Sequence, residues 1–225
     1  MTFIKRFILV LLDKRINPRG RHSFLKSLDR RKKLKLLDVG CGNESALAVK
    51  ADCPNALYYG LDIGDYNQST ESKEHMDKYI VTSPELFDQK IRGMSNRFDA
   101  IISSHNIEHC YYPQKVIEAM TIALKKGGRL YMAFPSEASV NFPSRGGTLN
   151  FYDDETHVWL PEFDKIVSQL KENGMKINYA NRRYRPLILR FVGWIVEANS
   201  RTLNRVIDGT WAYYGFEAII WATKE

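Results

Sequence analysis

The sequence predicts an α/β fold around a mostly parallel sheet, and three observations carry that expectation. The run Lys35-Leu36-Leu37-Asp38-Val39 ends in Gly40-Cys41-Gly42-Asn43-Glu44, so a short apolar strand breaks into a tight turn with two glycines one residue apart. Asp62 closes a second apolar run, residues 56–63, and lies 24 residues beyond Asp38, a strand–helix–strand spacing that brings both acids to one edge of a parallel sheet. Strand-like and helix-like segments then alternate to the C-terminus. With 225 residues the chain is long enough for one such domain and short for two.

Residues 1–12 join Lys5-Arg6 to the apolar run Phe7-Ile8-Leu9-Val10-Leu11-Leu12. The run is short for a signal peptide, no small-residue cleavage site follows, and it falls far below the ~20 apolar residues that span a bilayer. A helix packed on the domain or an interfacial anchor on anionic lipid is expected instead. Residues 1–35 hold twelve lysines and arginines against Asp13 and Asp29, a local charge of +10 in a chain of +7, which leaves −3 for the remainder. A basic segment on a mildly acidic body argues against a nucleic-acid groove across the domain and for local contact with an anionic surface or partner. The expected organisation is a basic, partly hydrophobic helical extension over residues 1–34 and one domain over 35–225.

Asn17-Pro18-Arg19-Gly20 reads as a turn, and residues 22–30 as a short helix. Residues 44–51 open the first core helix, broken near Cys53-Pro54-Asn55, and residues 64–78 are polar and partly helical. Tyr79-Ile80-Val81 is a short third strand. Ser83 then caps a helix start with Pro84 at its first position, unless Ser83 or Glu85 holds a ligand. Residues 98–102 form a fourth strand with the polar loop 103–109 at its carboxyl end. Residues 114–125 form an amphipathic helix ended by Gly127-Gly128, and 129–134 a fifth strand. Residues 135–155 lack periodicity, and in a compact domain so long a segment is usually functional. A helix over 161–173, a strand over 175–179 and a last strand over 213–223 complete the chain. Between the last two strands, a hydrophobic helix over 187–199 carries Leu187, Ile188, Phe191, Val192, Trp194, Ile195 and Val196 around much of its circumference. Burial on several sides or in an interface is expected, against the N-terminal helix or a second subunit of a homodimer. Cys41, Cys53 and Cys110 lack metal or redox spacing and read as reduced thiols of a cytosolic protein.

The glycine turn is a ligand seat, because backbone without Cβ atoms can lie directly against a bound molecule. A dinucleotide needs Gly-x-Gly-x-x-Gly, whereas the third position here is Ser45 after Glu44. Carboxylates at 38 and 44 would repel a pyrophosphate and suit a cation. S-adenosylmethionine carries a sulfonium and an ammonium, and matches such a seat.

Leu36-Leu37-Asp38-Val39-Gly40-Cys41-Gly42 resembles the first motif of the class I S-adenosylmethionine-dependent methyltransferases. Tyr59-Gly60-Leu61-Asp62-Ile63 resembles their second strand with its ribose-binding acid, and Phe98-Asp99-Ala100-Ile101-Ile102-Ser103-Ser104-His105-Asn106-Ile107-Glu108-His109 their fourth strand and loop. Leu124-Lys125-Lys126-Gly127-Gly128-Arg129-Leu130-Tyr131-Met132-Ala133 resembles the turn and fifth strand. The four occur in order over about the middle half of the chain. The resemblance implies a Rossmann-like seven-stranded, mostly parallel sheet with helices on both faces and an antiparallel last strand. It also implies S-adenosylmethionine as cofactor, held by Asp38, Gly40, Cys41, Gly42, Asp62, Ile63, Ser83, Ser104 and His105. Glu44 departs from the pattern, standing where most members have a third glycine, and the helical insertion at 182–210 replaces a short link.

Methyl transfer from a sulfonium is an in-line displacement at an activated carbon, and a hydroxyl acceptor gains from a positioned base. His157, with Asp153 or Asp154 to orient it, His105 and His109 are the candidates. A metal is the competing use of these side chains. His105 and His109 have i, i+4 spacing, but the sequence shows no third ligand near them, and no metal is assigned. There is no Asn-Pro-Pro-Tyr/Phe motif of the amine-directed enzymes and no Pro-Cys pair of the cytosine C5 enzymes. Oxygen on a small molecule therefore leads. The acceptor segment 135–160 includes Asn141-Phe142-Pro143-Ser144-Arg145-Gly146-Gly147-Thr148-Leu149-Asn150-Phe151-Tyr152, whose aromatic faces, amides and single arginine suit a sugar with an anionic group. It is similar to acceptor segments of surface-polysaccharide methyltransferases. The expected activity is O-methylation of a sugar or lipid-linked sugar, in the cytoplasm or peripherally at the inner membrane face. A nicotinamide-dependent oxidoreductase, a nucleic-acid-binding module using the basic arm, and a cofactor-binding pseudo-enzyme are the alternatives.

Overall fold

Residues 16–29 and 31–225 are described by the computed structural model; the packed-helix and anchor expectations for residues 1–12 lie outside them. The strands are β1 (Lys35–Val39), β2 (Leu57–Asp62), β3 (Lys78–Val81), β4 (Phe98–Ser104), β5 (Leu124–Pro135), β6 (Met175–Asn181) and β7 (Glu217–Lys224). They form one seven-stranded sheet in the order β3-β2-β1-β4-β5-β7-β6, and β7 runs antiparallel to both neighbours. The expected mostly parallel sheet with an antiparallel last strand is the one observed.

Alternation along β1 shows why helices must cover both faces. Leu37 and Val39 enter a core with Leu61, Phe98 and Ile101, whereas Leu36 faces Tyr58, Ala100 and Ile102 on the other side. The first face is covered by α4 (Phe87–Arg92), α5 (Pro113–Ala123) and α6 (Phe163–Glu172). The second is covered by α1 (Arg21–Lys26) and α2 (Ser45–Asp52), with Phe24 and Leu25 against Tyr131 and Trp221. The segment before α1 is tied down as well: the Arg19 N–H donates to the Tyr184 hydroxyl at 2.9 Å, and Trp221 Nε1 to the Arg19 carbonyl at 2.9 Å. Residues 17–29 thus pack on the domain itself.

From β1 the chain moves outward through β2, α3 (Thr70–Glu74) and β3, then returns to β4 on the other side of β1. The carboxyl ends of β1 and β4 lead apart at this reversal, which opens a crevice there.

Three expectations are corrected. The helix α5 ends at Ala123, and Gly127-Gly128 lie within β5, where pairing to β4 jumps from Phe98↔Leu124 to Ala100↔Arg129; Gly127, at φ +75°, takes the turn of that irregularity. The last strand begins at Glu217, because α8 (Thr210–Tyr214) precedes it and Gly215, at φ +72°, breaks the chain between them. The hydrophobic helix α7 (Leu187–Thr202) is not buried on several sides by the described residues: Leu187, Phe191, Trp194 and Ile195 are exposed, and only Gly193 and Ser200 are buried, which leaves standing the other expectation, an interface with the N-terminal helix or a second subunit. Its packed stripe is narrow because α8 comes so close. A Cβ on Gly193 would lie 2.1 Å from the Gly209 carbonyl oxygen, and Gly209 itself sits at φ +88°. Among the described residues no helix is long and apolar enough to cross a membrane.

This packing predicts opposite outcomes for adjacent positions. Gly193→Val should destabilise the domain by roughly 2 kcal/mol or more through overpacking, whereas Trp194→Ala next to it should stay within about 0.5 kcal/mol of the parent. Chemical denaturation of both variants checks this, and a Gly193→Val midpoint equal to the parent's would contradict the close approach.

Candidate active site

A cleft of about 900 Å³ opens at the strand reversal. On its β1 side, Gly40 takes φ +78°, and a Cβ there would lie 2.5 Å from Asn106 Oδ1. No other residue fits both constraints. Gly42 brings bare backbone beside Tyr66, at 3.3 Å from a notional Cβ, and also lines the cleft. Asp62, at the end of β2, is 7% exposed and accepts the Ile63 N–H at 2.8 Å through Oδ1. Burial pushes its carboxyl up, against the opposing pull of the Ile63, Gly42 and Gly64 amides. Gly40, Gly42, Asp62, Ile63, Ser104 and His105 all line the cleft, as six of the nine positions expected to hold a cofactor.

The other three do not line it. Asp38 is buried beneath the turn, where Oδ2 accepts the hydroxyls of Ser45 (2.5 Å) and Tyr58 (2.7 Å), and burial raises its pKa despite nearby Arg21. It organises the turn from below. The Cys41 thiol is buried under Gly60, where burial pushes its pKa up and makes it an inert packing group. Ser83 precedes a single 3-10 turn (Pro84–Leu86) and bonds the exposed Glu85. Glu44 is also turned away. At φ +60° it keeps the left-handed backbone that a glycine would adopt freely, while its carboxylate accepts the Ser69 N–H at 2.6 Å and hydroxyl at 2.8 Å. The acids expected to welcome a cation at 38 and 44 therefore lie elsewhere. Those that line the cleft are Asp62, Asp88, Asp154 and Glu217, and among the described residues Arg21 is the only lysine or arginine beside them. Asp88 was legible in principle: it stands in the first turn of α4, directly after the 3-10 turn at Pro84. Glu217 and Trp211, reached only through the insertion, carry no local signal.

The opposite side of the cleft is built on the loop after β4. His105, at φ +49°, places Nε2 3.0 Å from Glu217 Oε1 and Nδ1 3.2 Å from Glu108 Oε1, with its ring against Trp211 and Phe216. Burial alone would lower its pKa, but the two carboxylates outweigh it and push the imidazole up to about 10. Both nitrogens face acids, so His105 offers no free lone pair for a proton. His157 is likewise corrected as a base: its side chain is 4% exposed, it does not line the cleft, and Nδ1 donates to the Phe151 carbonyl at 2.6 Å. Asp153 does not orient it. That carboxylate accepts the amides of Arg145 (3.0 Å), Leu149 (2.9 Å) and Asn150 (2.7 Å) and the Ser144 hydroxyl, and so holds its own loop in shape. Arg145 is also committed, in a bidentate pair with Glu197 of α7 at 2.6 and 2.9 Å, and is not open to an anionic substrate.

His109 does line the cleft. The Val158 N–H donates to the Glu108 carbonyl at 2.9 Å, which draws the segment after Phe151 against the loop after β4. Glu108, His109 and His157 then bring potential ligand atoms within 4.8 Å of one another. The sequence shows no third ligand beside the His105–His109 pair; the side chains grouped in space are instead Glu108, His109 and His157, the last from a segment nearly fifty residues away.

Comparison with known proteins follows from this geometry. A family described as a methyltransferase domain matches residues 4–201. A SAM-dependent methyltransferase from Archaeoglobus fulgidus superposes with a TM-score of 0.53 at 18% identity, over 95% of this chain and 98% of that one. An S-adenosylmethionine-dependent methyltransferase from Mesorhizobium loti gives 0.57 at 13%, over 90% and 96%. The 4+2 cyclase SpnF gives 0.52 at 17%, over 96% and 79%, so the shared fold does not by itself dictate the reaction. No curated protein matches the sequence.

The Asp153 hub predicts a pH-dependent stability. Burial raises its pKa, but the hydrogen bonds from Arg145, Ser144, Asn150 and Leu149 outweigh that and hold it below the ordinary aspartate value. A depressed folded-state pKa stabilises above the unfolded value and loses that contribution as pH falls through the folded one. Asp153→Ala should therefore cost roughly 2–3 kcal/mol at neutral pH, with the gap from the parent closing below about pH 4. Equal unfolding midpoints at pH 7 would contradict the hub.

Proposed function

The chain belongs to the methyltransferase-domain family, and on that premise we propose that it moves the methyl group of S-adenosylmethionine to a hydroxyl oxygen of a small polyhydroxylated molecule, a sugar or lipid-linked sugar. The observation that carries this reading is the cleft's acidic lining, Asp62, Asp88, Asp154 and Glu217 beside Arg21, around a glycine turn that no side chain obstructs. Such a lining suits a cationic donor and opposes a pyrophosphate. The donor supplies an activated methyl on a sulfonium, and its transfer leaves a neutral thioether.

The chain's own residues divide the remaining work. Asp62 accepts the two ribose hydroxyls with one carboxylate, and Ile63 and Phe87 offer apolar contact to the adenine beside Asp88. Across the cleft, Tyr111, Tyr112 and Trp211 present aromatic faces on which a sugar ring can stack and which exclude water. Asp154 Oδ1 is held by Thr156, and Oδ2 remains to accept the hydrogen of the acceptor hydroxyl. As the oxygen–carbon bond forms, the carbon–sulfur bond breaks, its electron pair stays on sulfur, and the proton leaves through Asp154 to solvent. His105 braces this wall between Glu108 and Glu217.

Calorimetric titration with S-adenosylmethionine and S-adenosylhomocysteine tests the donor site. Asp62→Ala should weaken both by roughly 100-fold, the equivalent of about 2.7 kcal/mol lost in charge-assisted hydrogen bonds. Parent-like binding by this variant, or binding of reduced nicotinamide in place of the donor, would overturn the reading. Labelled methyl should appear on alcohol-bearing acceptors, and transfer to amines alone would overturn the choice of oxygen.

A further inference from the structure

We propose that Glu108, His109 and His157 form a site for one divalent transition-metal ion on the acceptor side of the cleft. The three ligand atoms lie within 4.8 Å of one another. Each histidine holds its ring hydrogen on Nδ1 and so keeps Nε2 free to ligate. His157 Nδ1 faces the Phe151 carbonyl at 2.6 Å, and His109 Nδ1 faces the Thr156 carbonyl at 3.1 Å. The Thr156 hydroxyl, 2.9 Å from His109 Nδ1, gives its own hydrogen to Asp154 Oδ1 and is an acceptor there too. Carbonyl oxygens only accept, so the ring hydrogens sit on Nδ1 and both Nε2 atoms carry lone pairs. This backbone anchoring of the far nitrogen is how metal-ligating histidines are oriented.

Glu108 supplies the independent sign of a charge only partly balanced, because one His105 imidazolium stands between two carboxylates, Glu108 and Glu217. The Glu108 side chain is fully buried, and among the described residues neither carboxylate oxygen receives a hydrogen bond. The His105 ring is near, at 3.2 Å from Oε1, but that imidazole also serves Glu217. A buried carboxylate that shares its one cation with a second acid is costly, and a dication between it and two imidazole lone pairs removes the cost. The backbone locks the pieces in place, since the amides of Val158 and Trp159 both donate to the Glu108 carbonyl, at 2.9 and 3.2 Å.

Two imidazoles and one carboxylate favour an ion such as Zn²⁺, Mn²⁺ or Fe²⁺ over Mg²⁺ or Ca²⁺, which prefer all-oxygen sites. Three protein ligands leave coordination positions open, as catalytic sites do. Of the three ligands His109 lines the cleft, so the ion is reached from that side. The role of the ion, though not its presence, rests on the methyl-transfer reading: it binds an acceptor with adjacent oxygens, a vicinal diol, and makes the hydroxyl easier to deprotonate.

The test uses tag-free, full-length protein stripped with chelator, then titrated with Co²⁺ and Zn²⁺ alone. One equivalent should bind per chain, with visible Co²⁺ absorption bands. His109→Gln, His157→Asn and Glu108→Gln should each weaken uptake by more than about tenfold. His109 is half-buried at the cleft wall, so His109→Gln is the variant least exposed to misfolding, and unchanged circular dichroism and S-adenosylhomocysteine affinity certify it. No saturable uptake by the parent, or uptake unchanged in these variants, overturns the site even if the donor binds. Saturable uptake lost in the variants, with no binding of S-adenosylhomocysteine to the parent, upholds the site and overturns the methyl-transfer reading instead.

Discussion

The structure depends on one close contact, between the backbone of Gly40 and the side chain of Asn106. Asn106 Oδ1, Cβ and Cγ occupy the volume where a Cβ on Gly40 would stand. Gly40 directly follows β1 and Asn106 lies just after β4, the two strands that part at the reversal of the sheet. Their contact joins the donor wall to the loop that carries His105, Glu108 and His109. The His109 amide and the Cys110 thiol both return to the Asn106 carbonyl, at 3.1 and 3.3 Å, so the same residue that fills the glycine's space also winds the loop. A positive φ and a missing side chain at one position thus set the distance between two functional walls.

A second layer of order closes the far side of the cleft. The segment after β5 and the insertion before β7 fold on each other: Arg145 is buried in a pair with Glu197, the Gly146 amide donates to the Asn204 carbonyl at 3.0 Å, and Trp211 Nε1 donates to the Thr148 carbonyl at 2.8 Å. A buried ion pair with these partners adds little net stability over apolar packing, but breaking one side of it is severe. Its consequence is positional, because it carries Trp211 and Glu217 to the wall beside His105. The fold thereby builds that side of the cleft from three stretches far apart in sequence.

Much of this was legible from the chain alone, and the reasons are local. The strands and the glycine turn follow from apolar runs and from Gly40 and Gly42, whose demands are settled within a few residues, while the sheet they form was implied by the family resemblance. Asp62 follows from strand–helix–strand spacing, and Ile63 from the motif around it. The failures concern direction and distance. Asp38 has the right position but points beneath the turn to Ser45 and Tyr58. Asp153 sits beside Asp154 in the sequence, yet one gathers backbone amides while the other lines the cleft. Arg145 looked available until Glu197 met it from 52 residues away. Nor could spacing reveal that His157 lies 4.8 Å, ring to ring, from His109. Local pattern reports which elements form; which side chains remain free is decided by tertiary partners.

The central claim is that the Gly40–Asn106 junction seats a sulfonium donor with its methyl aimed at the oxygen-binding wall. A crystal structure with S-adenosylhomocysteine tests it most directly. The account predicts the ribose on Asp62, the adenine between Ile63 and Phe87, and the thioether sulfur facing the loop of His105 to His109. A complex with the nucleoside elsewhere, or with the sulfur turned away from that loop, would contradict it.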